Sequence, residues 1–140
     1  PGKRACEGVM QVKSEEAGSE KVPEDLKHRT KQSALRVLKL CRALPAEPEP
    51  QAVRRQLVRC GTSFAANYRA SQRAKSRKDF AHKLATVEEE ADETCFWLEL
   101  IIEDGMMPAG LVEPLYQEAS EITAIVTAGV RTARRNKDMK

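Results

Sequence analysis

The chain has 140 residues, of which 32% are charged and only 4% aromatic, with a formal net charge of +3 at pH 7. That length suits one domain with a real core, and so few aromatics amid abundant Ala, Leu, Glu, Lys and Arg exclude a β-sandwich in favour of helices. No apolar run reaches signal-peptide or membrane length, since Glu99 interrupts even residues 95–102, so the expectation is a cytoplasmic protein with no membrane partner.

Residues 1–22 mix Gly, Ser, Glu and Lys without apolar periodicity and are expected to form a disordered tail. A first helix is predicted from Pro23, a favourable first-turn proline, to Leu44, with Leu26, Thr30, Ser33, Val37, Leu40, Cys41 and Leu44 on one face. The Glu47-Pro48-Glu49-Pro50 linker cannot be helical throughout, because each proline restricts its predecessor. A second helix is predicted from about Pro50 to Ala74.

The third starts at Ser76, where Ser76-Arg77-Lys78-Asp79 resembles a capping box, and Gly105 stops it. Its core stripe is Phe80, Leu84, Val87, Ala91, Thr94, Leu98 and Ile101. Pro108 and Pro114 belong to a turn and the opening of the fourth helix, whose stripe is Leu115, Ala119, Ile122, Val126, Val130 and Ala133. Short connections make neighbours antiparallel, so the expected fold is all-α, an antiparallel up-down four-helix bundle over residues 23–137.

Charge is unevenly distributed. Residues 54–83 carry nine Lys/Arg against Asp79 (+8), residues 88–104 eight acids and no base (−8), and residues 131–140 five bases against Asp138 (+4). Such segregation speaks to partners, copies of the same chain included. On the second helix Val53, Leu57, Cys60, Phe64 and Ser71 cluster on one side, with Asn67 and Tyr68 flanking. Arg55, Arg59, Arg69 and Arg73 fall within about 80° of one another on the opposite side. Two readings stand: a rail of guanidinium groups for phosphates, or an ordinary solvated face. Arg131, Arg134, Arg135 and Lys137 form a second basic cluster.

Opposite the core stripe of the third helix lie Phe96 and Leu100, with Trp97 nearer the core edge and Glu89, Asp92, Glu93, Glu99 and Glu103 around them. An apolar centre with an acidic rim has the anatomy of a subunit interface. Its complement is the arginine stripe of a neighbour's second helix, a head-to-tail contact that closes into a ring. The counter-reading pairs these charges within one monomer. Asn67 is expected to hydrogen-bond another helix and so fix register, with ligand contact the alternative. Tyr68 reads as a core-edge ring before a base-stacking platform.

Catalytic constellations fail. Neither His28 nor His82 has the Glu three residues before it that a di-iron bundle needs, and Ser63 and Cys60 have no base evident in sequence. Cys6, Cys41, Cys60 and Cys95 are scattered, with no Cys-x-x-Cys, and read as reduced, mostly buried hydrophobes. The expectation is no enzyme, no catalytic residue, no metal, no cofactor and no small-molecule substrate.

Several blocks over residues 25–137 resemble one bacterial family. They are Arg29-Thr30-Lys31, Ala34-Leu35-Arg36, Arg59-x-Gly61-Thr62-Ser63, Ala66-Asn67-Tyr68-Arg69, Ser76, Phe80, Lys83-Leu84, Glu89-Glu90-Ala91-Asp92-Glu93-Thr94 and Trp97-Leu98-Glu99-Leu100. The family is the four-helix-bundle proteins first noticed as reading frames inside intervening sequences of large-subunit ribosomal RNA genes. Ala65 departs from the expected glycine, and Phe64 is larger than the usual aliphatic residue. The resemblance implies a homopentameric bundle with no established enzymatic activity. A distant relative, the accessory protein of diversity-generating retroelements, is a basic pentamer that associates with a reverse transcriptase and nucleic acid, so RNA, DNA or a nucleic-acid enzyme is the implied partner besides self. The alternative is a purely structural interaction module whose arginines serve subunit contacts.

Overall fold

The computed structural model describes the backbone of residues 22–138 and the side chains of 25–136. Apart from Val22, the expected tail lies outside the described residues, as does the side chain of Lys137. Four helices follow in order: α1 (Val22–Arg42), α2 (Pro48–Ser71), α3 (Arg77–Asp104) and α4 (Ala109–Asp138). The neighbouring pairs are α1–α2, α2–α3, α3–α4 and α1–α4, which closes a four-membered circuit. One half of the core joins the end of α1 and the turn after it (Leu40, Leu44) to the start of α2 (Val53, Leu57), the end of α3 (Leu98, Ile101) and the start of α4 (Val112, Leu115). The other half joins Leu26, Phe64, Tyr68, Leu84, Val126 and Val130, the opposite helix ends. This is the up-down bundle.

The core stripes expected on all four helices are buried, Phe80 alone remaining half-buried. Four boundaries differ from expectation for backbone reasons. α1 ends at Arg42 rather than Leu44, because Ala43 N and Leu44 N reach back only three residues, to Leu40 O and Cys41 O. Pro48 and Pro50 both sit in the first turn of α2, where a missing N–H leaves no bond unmade, and the first intrahelical bond runs from Gln51 N to Glu47 O at 3.1 Å. The same helix ends earlier, at Ser71, whose hydroxyl donates to Tyr68 O at 2.6 Å. Beyond it, Arg73 N and Ala74 N reach back only three residues. Pro114 lies inside α4 rather than at its opening, and having no N–H it leaves the Gly110 carbonyl one turn earlier without its intrahelical partner.

Capping fixes both ends of α3. Ser76 Oγ accepts from Asp79 N at 3.0 Å, and Asp79 returns a carboxylate oxygen to Lys75 N, one residue before the reciprocal partner of a capping box. Gly105 ends the helix at φ 71°, in the left-handed region that favours glycine.

Two features hold α1 in place. Gly61 lets α1 and α2 approach so closely that an added Cβ would lie 2.8 and 2.9 Å from the two γ-carbons of Val37. On the other flank Arg29, only 7% exposed, donates to Glu118 on α4 through Nε and Nη2 at 2.8 and 2.7 Å, and to Glu121 at 3.1 Å. Burial alone would lower the Arg29 pKa, but its hydrogen bonds and charge contacts with Glu118, Asp25 and Glu121 raise it instead. Nothing in the sequence reading assigned Arg29 to the interior.

The Cys41, Cys60 and Cys95 thiols are all buried. Desolvation pushes Cys41 up to about 11 and raises the other two. Tyr68 is likewise enclosed, 4% exposed, its hydroxyl pushed up to about 12 chiefly by burial, so it is a core ring and offers no stacking face.

Gly61→Ala should destabilise the bundle by about 1–3 kcal/mol of overpacking, exceeding the ~1 kcal/mol helix-propensity gain. In urea titrations the Gly61→Ala/Val37→Ala pair should lose less than the sum of the single changes; strict additivity would clear Val37 of the clash. Arg29→Met, which leaves the Glu118 carboxylate without its guanidinium, should cost roughly 3–5 kcal/mol in the same measurement.

Candidate interaction surface on the outside of the bundle

Burying the inner stripe of α3 turns the opposite ridge outward. Glu89, Asp92 and Glu103 are exposed, Leu100 is half-buried, and Phe96 is 47% exposed at the centre. The Phe96 and Trp97 rings meet edge to face, centroids 5.0 Å apart. Trp97 leans toward α2, half-buried, and donates its indole N–H to Glu93 at 3.0 Å.

Glu93 is not a free member of the acidic rim. Arg59 on α2 pairs with it through Nη2 and with Glu90 through Nη1, the latter at 3.2 Å. The bond from Trp97, and then the one from Arg59, hold the Glu93 carboxyl below its usual range. The counter-reading of the charges, pairing within one chain, therefore holds at this point. On the other flank Glu99 accepts from the Tyr116 hydroxyl of α4 at 3.0 Å. With Glu93 drawn to α2 and Glu99 to α4, the outward ridge consists of Glu89, Asp92, Phe96, Leu100 and Glu103.

The arginine rail is interrupted for the same reason. Arg55, Arg59, Arg69 and Arg73 are all exposed, as expected from the wheel, but Arg59 in the middle is engaged by α3. Arg55 remains at one end of α2 and Arg69 and Arg73 at the other. The up-down topology then brings the second group together with residues far away in sequence. The end of α2, the turn after it and the start of α3 supply Arg69, Arg73, Lys75, Arg77 and Lys78; the end of α4 supplies Arg131, Arg134 and Arg135 on the same pole of the bundle, all exposed. Asp79 at this pole is occupied by Lys83 at 2.7 Å, which with the Lys75 backbone lowers its pKa. A groove of about 390 Å³ lies between α3 and α4 here, floored by Phe80, Leu84 and Ala133, with Arg77 and Asn136 on its rim.

Asn67 departs from expectation. Its amide donates to Ser63 O and Ser63 Oγ at 3.0 and 2.9 Å, one turn earlier on its own helix, instead of tying α2 to another helix. A serine hydroxyl stacked four residues before it meets the amide locally. Among the described residues no group of three or more His, Cys, Asp or Glu is placed to hold a metal ion, and no helix is long and apolar enough to cross a membrane.

Because the folded state depresses the Glu93 pKa, the contribution of its contacts is full above the unfolded value near 4.5 and is lost as pH falls through the lower folded value. The emission of Trp97, the single tryptophan, should step in that acid window before helical circular dichroism is lost, and Glu93→Gln should abolish the step. An unchanged step in the variant would assign the titration to another group.

A family model described as 23S rRNA-intervening sequence protein matches residues 25–128. Among solved structures, the chain is similar to a protein of unknown function from the S23 ribosomal protein family of Bacteroides thetaiotaomicron VPI-5482. The two share 30% identity over 78% of this chain and 97% of that one, with a TM-score of 0.72. No curated protein matches. With most of the four-helix region covered by the family model, the chain belongs to the 23S rRNA-intervening sequence protein family.

Proposed function

We propose that this protein is a non-catalytic, homo-oligomeric bundle, a pentameric ring on the family resemblance, that binds the phosphate backbone of nucleic acid through one basic pole. The observation that carries the reading is the convergence of Arg69, Arg73 and Arg77 with Arg131, Arg134 and Arg135 at one end of the bundle, where the acid Asp79 is already occupied. Guanidinium groups there are exposed, always charged and suited to bidentate phosphate contact. In a ring each copy would present its pole to the same rim, multiplying the contacts without new chemistry. The family's description as 23S rRNA-intervening sequence proteins makes RNA the first ligand to test.

A second reading has its own support. Arg59 is taken up by Glu90 and Glu93, so arginines of α2 can serve protein contacts alone, as a structural interaction module would use them.

Charge reversal at Arg69 and Arg73 separates the two. Under the first reading, binding to a mixed RNA and DNA pool weakens and the slope of log K against log salt shrinks by about 2, with solution mass unchanged. Under the second, the oligomer breaks and the wild type shows no salt-dependent affinity to lose.

A further inference from the structure

The acidic ridge of α3 has a counterpart that the sequence reading overlooked, and it is not on α2. The outward face of α1 carries Lys27, Lys31, Arg36, Lys39 and Arg42, all exposed and with no acid among them. At its centre stands Leu35, 50% exposed, which with Phe96 and Leu111 is one of three large hydrophobic side chains left in solvent among the described residues. Among the described residues no ion pair within the chain engages Lys31, Arg36, Lys39 or Arg42.

The two faces match in layout. On α1, Lys31 and Lys39 stand one turn either side of Leu35, and Arg42 stands two turns beyond it. On α3, Asp92 stands one turn before Phe96, with Glu89 and Glu103 two turns away on either side. Charges thus sit about 6 and 10 Å from an apolar centre on both helices. The rival complement on α2 lacks two of these features. Arg59 at its middle is held by Glu90 and Glu93 of its own chain, and α2 exposes no large apolar side chain to meet Phe96.

We infer that the α3 ridge of one copy docks on the α1 face of the next, Phe96 against Leu35, with the carboxylates of Glu89, Asp92 and Glu103 against the bases of α1. The occupant is a second copy of this chain, and the inference rests on the oligomeric reading above. Because α1 and α3 occupy opposite corners of the four-membered circuit, the two halves of the contact lie on different sides of one molecule. The junction is head-to-tail, each copy using both faces, and covers the apolar centres while desolvating opposite charges together.

The test is solution mass by sedimentation at moderate salt for three samples of the full chain: wild type, Leu35→Asp and Phe96→Asp. Both sites are exposed, so folding, checked by circular dichroism, should survive. The expected result is an oligomeric wild type, two monomeric variants, and a heterodimer when the variants are mixed. In the mixture, the sound α3 ridge of Leu35→Asp meets the sound α1 face of Phe96→Asp, and the poisoned faces stop growth at two copies. An oligomer that persists in Leu35→Asp but dissociates in Phe96→Asp overturns the α1 pairing and leaves the assembly reading standing, as does a mixture that stays monomeric. A monomeric wild type removes both.

Discussion

The geometry of α3 governs the rest of the molecule. At 3.6 residues per turn, a stripe that buries Leu84, Val87, Ala91, Thr94, Leu98 and Ile101 must carry Phe96 on the far side of the same helix. No rotation of α3 hides both sets. Its two neighbours take what lies at the flanks: α2 holds Glu90 and Glu93 through Arg59, and α4 holds Glu99 through Tyr116 and Glu88 through Thr127. What remains outward is acidic with a phenyl ring in the middle. The intramolecular pairings therefore do not neutralise α3; they define which of its acids stay free for something else.

Helix order does comparable work for the bases. Arginines separated by some sixty positions along the chain come to one pole only because α2 and α4 run in the same direction, with the short turn into α3 beside them. The same topology sets α1 diagonally across from α3, so that basic and acidic faces point away from each other instead of collapsing into internal salt bridges. Polarity along the bundle axis and polarity across it are thus separate consequences of one connectivity.

Most of the fold was legible in the sequence because burial repeats with helical period, and period survives without knowledge of neighbours. The stripes of α1, α3 and α4, the Ser76 cap and the Gly105 stop are all local signals. What escaped depended on tertiary company. Arg29 sits one position off a clear apolar stripe and becomes interior only because Glu118 and Glu121 arrive from α4. Arg59 looked like one of four equivalent arginines until α3 brought two carboxylates to it. Asn67 was assigned a distant partner when Ser63, a turn away, was nearer. Pro48 was placed in a linker and Pro114 at a helix opening, although the first turn of α2 takes both of its prolines and α4 continues through Pro114. The basic face of α1 was visible in the letters, but its place diagonally across from Phe96 depends on how the helices pack.

The enclosed cysteines have a chemical corollary. A thiol is attacked by peroxide or disulfide as its thiolate, and desolvation in the bundle suppresses that form at Cys41, Cys60 and Cys95 together. Resistance to oxidation at these positions is then a property of the packed state and not of the residues themselves. It would vanish as soon as the helices part, making a newly synthesised or heat-loosened chain the vulnerable species and the folded one comparatively inert.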